Sequence, residues 1–109
     1  MLLAVDNGNT NVKFALVDDS GEIVQRWRIA TDARRTADEW GVLLDGLLDR
    51  DGLADTVGAL AVCSAVPAVV AELRDLADDQ YPDAEHVFVG PGVRSGLPML
   101  TDNPREVGT

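Results

Sequence analysis

Five consecutive residues, Asp6-Asn7-Gly8-Asn9-Thr10, bring a carboxylate, two side-chain amides, a hydroxyl and a glycine into one short stretch. That set suits a phosphate group and its metal. Gly8 lets the backbone come close to an anion, Asn9 and Thr10 offer neutral donors, and Asp6 can hold Mg²⁺ directly or through water. A bound metal would also offset the negative charge of the chain. A plain hairpin turn accounts for the same residues, because Asn-Gly is the commonest hairpin dipeptide. On these residues alone both readings stand. Lys13 follows on the face away from Phe14 and toward the side on which the loop opens, where it either reaches a phosphate or is an exposed strand lysine.

Other reactive side chains offer less. His86 has only Glu85 near it at ligand spacing, so it reads as an edge-of-strand residue and not a metal ligand. Cys63 is the single cysteine. No internal disulfide can form, a reduced cytoplasm is the default, and a small buried hydrophobe is the expectation for its side chain. Trp27 and Trp40 lie on apolar faces and read as core. Arg34-Arg35 reads as a solvated pair.

Three strands, separated by the turn signals at Asn7-Gly8-Asn9 and Asp18-Asp19-Ser20-Gly21, are needed to place the first loop. Leu2 to Val5 is apolar without alternation, as in a central strand covered on both faces. Val12, Phe14 and Leu16 share one face of the second strand, and Ile23, Trp27 and Ile29 one face of the third. The period changes at Thr36-Ala37-Asp38-Glu39, which has capping-box spacing. Trp40, Leu43, Leu44, Leu47 and Leu48 then recur as on an amphipathic helix, with Gly52 just past its end. Val57 to Cys63 reads as a fourth strand, and Ser64 as the cap of a second helix carrying Val66, Val69, Val70, Leu73 and Ala77. Pro67 is tolerable there because it falls in the first turn. Tyr81-Pro82 ends that helix, Val87 to Val89 form a fifth strand, and Gly90 to Gly108 reads as a long loop. The expected class is α/β, a βββαβαβ mixed sheet with helices packed on it.

At 109 residues, 46% hydrophobic and 26% charged, the chain has the size of one domain. Nineteen acidic residues against nine basic ones give a net charge of -10, which argues against nucleic acid and anionic lipid as partners. No run approaches the roughly 18 apolar residues of a membrane span.

Four segments in order carry a family resemblance: Asp6, Gly8, Asn9 and Thr10; Ser64, Val66 and Pro67; Gly92, Val93, Arg94 and Gly96, with Ser95 where the family has Thr; and Asp102 to Gly108. Across essentially its whole length the chain resembles the type III pantothenate kinases, the Bvg accessory factor homologues. These belong to the acetate kinase, sugar kinase and actin superfamily, with its ribonuclease H-like fold. The resemblance implies ATP-dependent phosphorylation of pantothenate, the first committed step towards coenzyme A, with Mg²⁺ and a monovalent cation such as K⁺. Asp6, Asn7, Gly8, Asn9, Thr10 and Lys13 would then serve the ATP phosphates, with Asp6 at the metal. Gly92, Val93, Arg94, Ser95 and Gly96 would meet pantothenate, where exposed N–H groups and Arg94 suit a carboxylate or a polar chain. Asp102 and Arg105 would line the site or form a surface pair.

The family continues after Gly108 as Ala-Asp-Arg, whose Asp is the general base; the present sequence has Thr109 there and ends. The expectation is therefore a single N-terminal kinase domain over residues 1–109, with no catalytic residue of its own and inactive without the C-terminal half. It would be either a shortened chain or the small subunit of a divided kinase, partnered by that half or by its own copies. The alternative is a non-catalytic binding or regulatory domain derived from the kinase. A ribonuclease H-like nuclease fits less well, because the fourth strand ends in Cys63-Ser64 instead of a carboxylate and no basic track is present.

Overall fold

The computed structural model describes residues 1–64 and 66–89. Its elements are β1 (Leu2–Asn7), β2 (Asn11–Val17), β3 (Ile23–Ala30), α1 (Ala37–Arg50), β4 (Ala59–Ser64), α2 (Pro67–Gln80) and β5 (Glu85–Val89). They form the expected βββαβαβ order. The sheet is five-stranded, in the order β3-β2-β1-β4-β5. β1 runs antiparallel to β2 and parallel to β4, β2 is antiparallel to β3, and β4 is parallel to β5.

Central placement explains why β1 is longer than its apolar stretch. Asp6 and Asn7 are polar and look like the start of a loop, yet the ladder continues through both. Asp6 pairs with Lys13 on one side and Cys63 on the other, and Asn7 with Val12 and Ser64. Two neighbouring strands satisfy the backbone there, so extended structure persists until Gly8.

Both helices cover one face of the sheet. Leu3, Val5, Val12, Phe14, Leu16, Leu60 and Val62 pack there against Trp40, Leu44 and Leu48 of α1 and Val69, Leu73, Leu76 and Ala77 of α2. Trp40 is fully buried, its ring tilted against Phe14 with centroids 6.5 Å apart. Gly41 allows the helices to come close, because a Cβ at that position would lie 2.6 Å from Gln80 Oε1 and 3.2 Å from Leu76 Cδ1. The opposite face has a smaller cluster of Ala4, Ala15, Val17 and Cys63. Ile23 packs beside that second cluster, away from Trp27 and Ile29, which corrects the expectation that all three share a face. A register shift between Leu16 and Val17 skips Val24 on β3, and one extra residue reverses side-chain direction.

The helix ends follow local chemistry. Thr36 caps α1 in a capping box with Glu39, the Glu39 N–H donating to Thr36 Oγ1 at 3.2 Å and the Thr36 N–H to Glu39 Oε1 at 3.0 Å. Gly52, at φ 74°, takes the left-handed turn that lets the Leu53 N–H reach Leu48 O at 2.8 Å. α2 differs from expectation. Its N-cap is Val66, without a side-chain cap, and Pro67 opens the helix. Ser64 is still inside β4 and cannot occupy the capping position.

Candidate functional site

β1, β3, β4 and β5 all end at one edge of the sheet, since Asn7 pairs with Ser64, Cys63 with Val89, and Asn11, at the start of β2, with Ala30. α2 begins beyond Ser64 at the same edge. In open α/β sheets the carboxyl ends of strands are where ligands bind. The turn Gly8–Thr10 sits in the middle of this edge.

Its side chains divide by depth. Gly8, Asn9 and Thr10 are exposed, Asp6 and Lys13 are half-buried, and Asn7 is buried at 2% exposure. Alternation along β1 puts Asp6 on the sheet face away from the helices, together with Lys13, its cross-strand partner in register. Asn7 points the other way. The expected loop 6–10 is thus two strand residues of opposite facing followed by a three-residue turn.

Hydrogen bonds fix the turn from both neighbouring strands. Ser64 Oγ donates to Asn7 Oδ1 at 2.5 Å and accepts the Val66 N–H at 3.1 Å. Asn7 Nδ2 donates to Gly8 O at 3.0 Å and to Thr31 Oγ1 at 3.5 Å. Thr31 Oγ1 donates to the same Gly8 carbonyl at 2.9 Å, and the Thr31 N–H to Thr10 O at 2.8 Å. Gly8 N–H closes the turn on Asn11 O at 3.0 Å. A polar relay, buried at Ser64 and Asn7 and opening to solvent at Thr31, therefore runs from the foot of α2 through Asn7 to the end of β3.

Gly8 is not demanded by this turn. Its φ is outside the left-handed region, and an added Cβ would make only an ordinary contact, 3.4 Å from Asn11 O. Gly8 is itself exposed, so its backbone can be approached from solvent. Among the described residues no three His, Cys, Asp or Glu side chains gather into a metal cluster. Asp6 supplies a single carboxylate, which fits Mg²⁺ held by one carboxylate, phosphate oxygens and water, and does not fit an all-protein cage.

Two residues at this edge have roles that the sequence did not announce. Thr31 lies just past the third strand in an unremarkable polar stretch; its only signal is that hairpin pairing puts it opposite Thr10. Arg35 is not simply solvated. Its guanidinium lies 5.1 Å from the Trp40 ring centroid and donates to Ala30 O at 3.3 Å. Arg34 is exposed as expected and pairs with Asp32 at 3.2 Å, a hydrogen bond that lowers the Asp32 pKa. Cys63, Trp27 and Trp40 are buried as expected, and a ring nitrogen of His86 lies 2.8 Å from Tyr81 O. Gly92, Val93, Arg94, Ser95 and Gly96, and Asp102 to Gly108 with them, lie outside the described residues.

The same fold occurs in solved structures of low sequence identity. A ROK family glucokinase from Streptomyces griseus, in complex with glucose and AMPPNP, superposes with a TM-score of 0.58 at 18% identity, over 87% of this chain and 34% of that one. A ROK family protein from Streptococcus pneumoniae, in complex with sucrose, gives 0.62 at 16% identity, over 91% and 37%. Thermus thermophilus RuvC gives 0.54 at 16% identity, over 98% and 73%. The domain thus has the ribonuclease H-like α/β fold that these ROK family and RuvC structures share.

Sequence narrows the class. The family model for type III pantothenate kinase matches residues 2–109. Type III pantothenate kinases from Acidothermus cellulolyticus and Streptomyces coelicolor are 50% and 48% identical over 99% of this chain. The chain belongs to the type III pantothenate kinase family. It spans 42% of the length of these two relatives, which it matches in their N-terminal part. No helix among the described residues is long and apolar enough to cross a membrane.

Proposed function

We propose that residues 1–109 form the nucleotide-phosphate side of an ATP-dependent pantothenate kinase of coenzyme A biosynthesis. The reading rests on the exposed Gly8–Thr10 turn at the carboxyl edge, braced from β3 and β4, in a chain matched by the pantothenate kinase family over residues 2–109. Backbone N–H groups of the turn and the Thr10 hydroxyl bind phosphate oxygens, and Lys13 supplies a positive charge beside them. Asp6 would hold Mg²⁺, and the ion would supply positive charge to offset what develops on the phosphoryl group. The buried face of Asn7 excludes water from beneath the turn. Gly92, Val93, Arg94, Ser95 and Gly96 hold pantothenate, and a monovalent cation such as K⁺ would be a further cofactor.

Phosphoryl transfer depends on groups positioned on both sides of the nucleotide. Residues 1–109 by themselves are therefore inactive and act with a complementary C-terminal half or within an oligomer, in a reducing cytoplasm that keeps Cys63 a thiol. A coupled ATP-consumption assay with pantothenate tests this. Turnover by a protein of full family length, absent from the 1–109 piece and regained when the C-terminal half is mixed in, is the expected result. Turnover by residues 1–109 alone contradicts the division of labour. Pantothenate binding without turnover at full length favours a non-catalytic binding domain instead.

A further inference from the structure

We infer that Thr31 is a positioning residue for the phosphate-binding turn, and that it acts by fixing which way the Gly8–Asn9 peptide faces. The inference deepens the proposed nucleotide role and rests on it. Gly8 O accepts two hydrogen bonds, from Asn7 Nδ2 at 3.0 Å and from Thr31 Oγ1 at 2.9 Å. One donor is a side chain buried at 2% exposure, and the other comes from just past the end of β3, in a bond that is itself open to solvent. In a trans peptide the carbonyl and the following N–H point in opposite directions, and no cis peptide occurs among the described residues. With the Gly8 carbonyl held toward Asn7 and Thr31, the Asn9 N–H must point away from both of them, and Asn9 is exposed, so an anion can meet it there.

The neighbouring peptide is held from the same residue. The Thr31 N–H donates to Thr10 O at 2.8 Å, so Thr31 grips the turn at two carbonyls, once by its side chain and once by its backbone. Neither the Asn9 N–H nor the Thr10 N–H bonds to a described residue. Donors set in place before the ligand arrives bind it without the cost of ordering a loop. Thr31 touches no ligand in this scheme. It sets the direction of the donor that does.

The test uses the protein at full family length, with Thr31→Val removing the hydroxyl at near-constant shape and Thr31→Ser restoring it. ¹⁵N relaxation of the nucleotide-free protein should show lower order parameters at Asn9 and Thr10 in Thr31→Val, and values like the parent's in Thr31→Ser. Calorimetric titration with Mg²⁺ and AMPPNP should show about tenfold weaker binding for Thr31→Val. KM for ATP should rise by a similar factor while KM for pantothenate stays unchanged, a split that general loosening of the fold would not produce. If Thr31→Val does not fold, Thr31→Ala carries the same expectations. Unchanged order parameters in the hydroxyl-free variant overturn the positioning role whatever the nucleotide does. A parent protein that binds no AMPPNP overturns the nucleotide reading, and the order parameters then still decide whether Thr31 holds the turn.

Discussion

Ser64 Oγ donates to Asn7 Oδ1 at 2.5 Å across the parallel pair of β1 and β4, with the two residues only 5% and 2% exposed. A hydroxyl and an amide at this depth are stable only as partners. Ser64→Ala leaves the Asn7 oxygen and the Val66 N–H without it, at an expected cost of about 1–3 kcal/mol. Thermal unfolding should register this as a fall in Tm of about 4–8 °C per kcal/mol for a domain of this size. An unchanged Tm would mean that the relay carries no weight.

Gly8→Ala separates the fold from the site. The backbone at Gly8 is accessible to alanine and the added methyl meets only Asn11 O at 3.4 Å. Stability should stay within about 0.5 kcal/mol of the parent, as for an ordinary surface change. AMPPNP affinity should fall about tenfold or more, because the methyl fills space left for the phosphate. Equal affinity in the two proteins would return the turn to an ordinary bend.

Lys13 stands opposite Asp6 on the face that carries no helices among the described residues. Lys13→Met keeps the apolar stem and removes the charge. The expected result is weaker AMPPNP binding together with a shallower dependence on ionic strength, measured by titration at two salt concentrations. Tm should hardly move.

Away from the site, the Trp27 indole N–H donates to Asp51 Oδ2 at 2.6 Å and ties β3 to the end of α1. The Arg50 guanidinium, and then this indole bond, lower the Asp51 pKa. A carboxyl whose folded pKa is depressed stabilises the fold above its unfolded pKa, at about 4, and the contribution is lost as pH falls through the folded value. Asp18 and Asp32 shift in the same direction, held chiefly by Ser20 and Arg34. Tm measured from pH 7 downward should therefore stay level until about pH 4 and then drop. Asp51→Asn should lower Tm at neutral pH and make the acid drop smaller.

Much of this fold could be read directly from the residues. The change of period at Thr36, the capping box with Glu39, the stop at Gly52 and the βββαβαβ succession of elements along the chain all follow local rules, and local rules act through the chain itself. What escaped was set by neighbours distant in sequence. Asp6 and Asn7 are strand residues because β2 and β4 pair with them from both sides. Ile23 changes face because a register shift lies between it and Trp27, and alternation alone cannot reveal an extra residue. Ser64 looked like a helix cap because serine before an apolar helix usually is one; its actual partner, Asn7, lies 57 residues away. The turn at Gly8–Thr10 was visible by composition, whereas Thr31, which grips it, carries no mark of its own in the chain.

The most direct test is titration of the full-length protein with Mg²⁺ and AMPPNP while backbone amide resonances are followed. Saturable shifts that are largest at Asn9 and Thr10, and smaller at Asp6, Lys13 and Thr31, are the predicted result. AMPPNP that binds while these amides stay where they were, or that fails to bind at millimolar concentration, would contradict the assignment of this edge to nucleotide phosphates.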